Sequence, residues 1–234
     1  NDINQHSQLP FYSPIPKKNI QFFTEILRAN GYYCSNNSKE DYNMLTSPLA
    51  WDESNSKAHW HNREPNQPFF SVFNFSVTHE SKVWGNEKTY SKEELKNVSL
   101  PDLFPQDEKI KTDFLTNYRN IEKLDQKLGD IIQQLKDDGL YENTIIFFFS
   151  DHGGPFPRYK RSIYDTGIQC PLMIKWIDDL PGLRNNQLIS FVDFAPTLLD
   201  ALGFKSSLFM EGVSFYQQDQ RKYVFAATDR FDGS

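Results

Sequence analysis

Two hydrophobic rhythms alternate along the chain. Behind Pro14 and Pro16, apolar side chains at Ile20, Phe23, Ile26 and Leu27 recur every three or four residues. That is the period of a helix with one buried face, and Gly31 stands where such a helix would end. Tyr32-Tyr33-Cys34 then reads as a strand. Residues 51–67 are polar, carry Trp51, Trp60 and Pro65, and read as a loop. Pro68-Phe69-Phe70-Ser71-Val72-Phe73-Asn74-Phe75-Ser76 is a strong strand candidate. Residues 80–110, rich in Lys, Glu, Asp and Pro, show no clear period. A long irregular excursion of this kind often carries function in a compact domain.

The clearest helix is predicted over 111–138. Phe114, Tyr118, Ile121, Leu124, Leu128, Ile131 and Leu135 form one apolar stripe, and Gly139 stops it. Thr144-Ile145-Ile146-Phe147-Phe148-Phe149 is nearly unbroken in its apolarity, as a central parallel strand buried on both faces would be. A second such strand is Pro171-Leu172-Met173-Ile174-Lys175-Trp176. Residues 191–203 read as a helix entered through Pro196 and closed by Gly203, and residues 223–228 as a last strand. Helices alternating with apolar strands predict an α/β fold, a mostly parallel central sheet flanked by helices, with residues 1–234 as one domain. No repeat or low-complexity segment interrupts it.

Composition narrows the function classes. The 234 residues hold 25 Lys plus Arg against 31 Asp plus Glu, a net charge of −6, which excludes nucleic-acid binding by bulk positive charge. Twenty Phe and 11 Tyr are far too many for a disordered chain. No apolar run approaches the ~18–20 residues of a membrane span. Cys34 and Cys170 read as two buried thiols rather than a disulfide framework. Asn-x-Ser sequons at Asn36, Asn74 and Asn97 read as chance, since Asn74 sits in an apolar run. The opening Asn1-Asp2-Ile3 is neither a start Met nor a signal peptide, and is read as a mature chain or a piece of a longer one.

Candidate chemistry gathers at strand ends, where α/β sheets bind ligands. The Phe-rich strand delivers Ser150-Asp151-His152-Gly153-Gly154. A carboxylate and an imidazole at one strand tip can approach one metal ion together; a ligand-free Asp-His-Gly turn is the alternative. The strand through Phe75 ends in Thr78-His79-Glu80, where His79 is either functional or a structural histidine. Lys160 lies in a loop with Arg158 and Arg161, which suits an anionic substrate or is simply a solvated basic loop.

In order and spacing these segments resemble the sulfatase family of the alkaline-phosphatase superfamily. The resemblance rests on residues 121–144 leading into Ser150-Asp151-His152-Gly153, on Lys160 followed by Ser162-Ile163-Tyr164-Asp165-Thr166-Gly167, on Asp193-Phe194-Ala195-Pro196-Thr197, and on Pro68-Phe69-Phe70 leading to His79. Tyr32-Tyr33-Cys34-Ser35-Asn36-Asn37 and residues 51–79 are similar to the heparan N-sulfatase-like branch. The resemblance implies an alkaline-phosphatase-like α/β fold, incomplete at both ends, and a metal-dependent hydrolase of sulfate esters or N-sulfates on a sulfated glycan. It implies Asp151 and His152 as ligands of a divalent cation, usually Ca2+. Lys160 would hold a sulfate oxygen, and His79 would contact the sulfate or protonate the leaving group. Lys39 falls on a sulfate-binding lysine, and Asp41 falls where the family has a histidine. The family nucleophile is a formylglycine made in a Cys/Ser-x-Pro/Ala-x-Arg motif, which is absent here and expected upstream. The chain is therefore expected to be inactive alone and to lie, in life, in a periplasmic, secreted or lysosome-like compartment. A phosphonate monoester or phosphodiester hydrolase of the same superfamily, and a degenerate sulfatase-like binding protein, are the alternatives.

Overall fold

The computed structural model describes residues 21–40, 42, 46–84, 88–177, 182, 184–207, 209–216 and 221–227. Chain contacts divide into two units, one formed by Asn1–Asn74 with Asn185–Ser234 and the other by Phe75–Arg184.

In the first unit the predicted helix appears as α1 (Phe23–Ala29), with Glu25 in its first turn and Arg28 in its last, the arrangement the helix dipole favours. The expected contribution of Ile20 lies outside the described residues. Gly31, at φ +87°, turns the chain into β1 (Tyr33–Asn37). β1 is the centre of a three-stranded parallel sheet, with β2 (Glu53–Ser54) on one side and β3 (Phe69–Phe73) on the other. β1 runs further than its pattern predicts, through Ser35, Asn36 and Asn37. Those polar side chains are satisfied in place: Ser35 Oγ meets Ser71 Oγ at 2.8 Å, and Asn36 Nδ2 donates to Ser54 Oγ at 2.9 Å. A buried polar group that finds a partner costs little, so the strand continues.

Side chains alternate across the sheet. On one face Cys34 and Phe70 pack with Leu27 of α1 and with Leu198 and Leu199 of α5 (Phe194–Ala201). On the other, Trp60, 1% exposed, stacks on Phe69 from the 3-10 turn Trp60–Asn62. The helix predicted over 191–203 is present as the 3-10 turn Phe191–Asp193 running into α5. Buried Asp193 organises this end: it accepts from Ser190 N–H and from Val213 N–H (2.8 Å) and pairs with Arg221. The strand expected over 223–228 does not form among the described residues. Arg221 makes one isolated bridge to Leu188, and Tyr223 and Phe225 beyond it are 71% and 89% exposed. Asn74 also differs from expectation: it is exposed, and its amide donates to Asn36 Oδ1 at 3.0 Å.

The second unit is built on α3 (Glu108–Asp137), capped by the Asp107 carboxylate, which accepts from Lys109 N–H at 2.8 Å. The irregular stretch before it contains the 3-10 turn Glu80–Lys82 and α2 (Lys92–Lys96), which opens on a Ser91–Glu94 capping box. Leu95, Val98, Leu100, Phe104, Phe114, Leu115 and Phe156 form the core. The Phe-rich run forms β4 (Ile146–Phe149). After the short helix α4 (Asp165–Ile168), β5 (Leu172–Lys175) pairs with it. Here the expectation of a central parallel strand is corrected. The pair is antiparallel, Ile146 facing Lys175 and Phe149 facing Leu172, and Phe149 is 43% exposed. An unbroken apolar run signals burial but carries no information on strand direction.

Candidate functional site

The loop after β4 carries the predicted acid and imidazole, and its path is set by two close contacts. Ser150 N–H donates to Pro171 O at 3.4 Å, and Ser150 Oγ donates to His152 O at 3.0 Å. Gly153 N–H donates to Gly167 O at 3.0 Å, and a Cβ on Gly153 would lie 1.9 Å from Thr166 O. Gly167 is equally tight, its virtual Cβ 2.1 Å from Ser162 O. Both glycines are there because two backbones touch. Phe156 then drops into the core and stacks on Phe114 of α3, with centroids 3.8 Å apart and planes within 6°. Lys160 N–H closes the loop by donating to Gly154 O at 3.0 Å.

The two candidate histidines are set up in opposite senses. His152 Nδ1 lies 2.8 Å from Gly153 O, and a carbonyl only accepts, so Nδ1 carries the proton. In the neutral ring Nε2 is then a lone pair, and it faces Asp151 Oδ2 at 3.5 Å. Two electron-rich atoms at that spacing can share one cation, each at the ~2.0–2.6 Å of a metal–ligand bond. His79 is the reverse. It caps the turn Glu80–Lys82, and its Nδ1 accepts from Ser81 N–H at 3.3 Å and meets Ser81 Oγ at 2.9 Å. The neutral ring must therefore carry its proton on Nε2.

Lys160 is tied down by a residue that sequence reasoning passed over. Its Nζ donates to Glu80 Oε1 at 3.1 Å, while Arg161 donates from Nη2 to Oε1 at 2.8 Å and from Nη1 to Oε2 at 3.0 Å. The Arg161 guanidinium, with Lys160, pulls the Glu80 carboxyl down to about 2. The signal was present: an acid beside His79 and two adjacent cations in the later loop. What sequence could not show is that residues 80 apart meet. In the same unit an open groove of about 440 Å3 is lined by Leu103, Arg158, Ile163, Tyr164, Asp165 and Thr166. The Arg158 guanidinium lies 5.5 Å over the Tyr164 ring.

Asp151, His152, Lys160 and His79 all belong to the second unit. Lys39 belongs to the first. It sits just past the carboxyl end of β1, where its carbonyl accepts from Asn36 Nδ2 at 3.1 Å. Asp41 lies outside the described residues. Asp151 and His152 fit a metal as an oxygen and a nitrogen ligand, but among the described residues no group of three or more His, Cys, Asp or Glu converges on one point. Burial pushes the Cys34 thiol up to about 12 and raises Cys170 as well, which disfavours the thiolate at both.

The fold is α/β, with Asp151 and His152 side by side on the loop after β4 and with Lys160 and Arg161 held on the Glu80 carboxylate. The sulfatase family model matches residues 7–204, and the chain belongs to the sulfatase family. It is 41% identical to an ulvan-active sulfatase of Formosa agariphila, over 99% of this chain and 46% of that protein. It is 26% identical to arylsulfatase K of Xenopus laevis, over 81% of the chain and 43% of the relative. A segment covering 44% of the chain is 29% identical to human N-sulphoglucosamine sulphohydrolase, covering 21% of that enzyme. The chain thus spans less than half the length of these relatives.

Proposed function

We propose that this chain supplies the sulfate-gripping and metal-holding part of a sulfate-ester or N-sulfate hydrolase acting on a sulfated glycan. The observation that carries the reading is the opposed tautomer setting of the two histidines: Nε2 of His79 offers a proton, and Nε2 of His152 offers a lone pair beside Asp151. Lys160 neutralises charge on the sulfate oxygens as the ester bond breaks. By the resemblance, Lys39 falls on a sulfate-binding lysine of the family and Asp41 where its histidine contact would be. His79 delivers its Nε2 proton to the departing oxygen or nitrogen. Asp151 and His152 hold a divalent cation, which when bound acts as a Lewis acid toward sulfate. The carboxylate suits Ca2+, and the imidazole nitrogen suits softer cations as well. The groove at Arg158 and Tyr164 receives the sugar, an aromatic face for the ring and a guanidinium for an anionic substituent. A sulfated-glycan substrate is consistent with a periplasmic, secreted or lysosome-like setting. Among the described residues no helix is long and apolar enough to cross a membrane.

The 234 residues contain no Cys/Ser-x-Pro/Ala-x-Arg motif, so alone they are expected to turn over no sulfate ester. The test is sulfate release by the complete gene product from sulfated oligosaccharides. Ulvan, named in the relative at 41% identity, comes first. Lys160→Ala is expected to lower kcat/KM by about 10²–10³-fold. No sulfate release from any sulfated substrate, a preference for phosphodiesters, or full activity in Lys160→Ala would each overturn the reading.

A further inference from the structure

The resemblance accounts for Lys160 and His79 and leaves Glu80 without a role, yet Glu80 is where the site's charges meet. Its carboxylate takes three hydrogen bonds, one from Lys160 and two from Arg161. It is 20% exposed and Lys160 17%, whereas Arg161 keeps half its surface open. The fork of Arg161 grips both oxygens, the geometry that fixes a guanidinium in orientation as well as position. Arg161 itself sits at φ +64°, a conformation a non-glycine residue holds only when its surroundings impose it. One carboxylate against two cations leaves a net positive charge, and Arg161 keeps half its side chain open to an approaching anion.

We infer that Glu80 is a positioning residue: from beside His79 it fixes the Lys160 ammonium and the Arg161 guanidinium in advance, so that one anionic group of the substrate meets both cations and the imidazole together. Lysine and arginine have the largest rotamer freedom of any side chains, so ordering them before binding removes that cost from the encounter. A cation displaced by about an ångström forfeits about a hundredfold in rate. The inference rests on the hydrolase reading for its kinetic part only, because anion binding can be measured without turnover.

The experiment compares the complete gene product with Glu80→Gln and Glu80→Asp, each checked for fold by circular dichroism. Inorganic sulfate is titrated while the imidazole NMR signals of His79 are followed, and kcat and KM are measured on a sulfate ester with the same preparations. Glu80→Gln keeps the size and removes the charge; it is expected to weaken sulfate binding about tenfold and to lower kcat/KM about a hundredfold, the larger part in kcat. Glu80→Asp keeps the charge on a shorter arm and is expected to recover most of both. Equal or tighter sulfate binding by Glu80→Gln would overturn the inference, as Glu80 would then be an internal competitor for the cations. Absence of sulfate binding in the unsubstituted protein, or a Glu80→Asp variant as weak as Glu80→Gln, would also overturn it. If sulfate binding separates the variants while no preparation releases sulfate from an ester, the positioning role stands and the hydrolase reading falls.

Discussion

Single side chains set the chemistry here through their partners. A histidine in a sequence has no tautomer; Gly153 O and Ser81 N–H assign one to His152 and the other to His79. Glu80 has the clearest solution signature. Held by Arg161 and then by Lys160, its carboxyl binds a proton only near pH 2, against an ordinary value of 4.5. The unfolded chain therefore takes up this proton first as the solution is acidified. The stabilisation from Glu80 is complete above about 4.5 and is lost as the pH falls toward 2. Acid unfolding curves should show this directly: Glu80→Gln is expected to flatten the stability profile in that window and to leave the profile's shape above it unchanged.

At the level of elements, the sequence was most readable where the period was long. The stripe from Phe114 to Leu135 anticipated α3 to within a few residues, because seven regularly spaced apolar side chains leave one solution. The run 144–149 was read as a strand correctly and as parallel wrongly, since its partner and direction are decided by residues 171–176 and the turn between. Residues 223–228 had strand composition, yet strand propensity alone does not supply a neighbouring strand to pair with. The site loop shows how an element is seated from outside itself. Phe156 contributes nothing to the chemistry, but its ring, 5% exposed, stacks on Phe114. Phe156→Ala is expected to cost about 3–5 kcal/mol in urea unfolding. It should also reduce the sulfate affinity of the folded fraction, because Lys160 hangs from the same loop.

For the whole molecule, the family and the α/β character were legible because they are spread over many segments in a fixed order. Asp151, His152, Lys160 and His79 could be singled out one by one in the sequence and fall in one unit, whereas the contacts of Glu80 with Lys160 and Arg161 exist only in three dimensions. A metal held by Asp151 and His152 would bind the folded protein alone and so stabilise it by mass action, about 2.7 kcal/mol at a hundred times Kd. Added Ca2+ or Mn2+ is therefore expected to raise the Tm of the complete gene product and to leave that of Asp151→Ala unmoved. An equal rise in both would remove Asp151 from the ligand set.

The backbone contact between Gly153 and Thr166 has a consequence for the history of such a protein. With no room for even a methyl group, this part of the loop cannot be rebuilt by small steps. Side chains that line the nearby groove, such as Leu103, Arg158, Ile163 and Tyr164, can be exchanged without that constraint, so variation is expected there and not at Gly153.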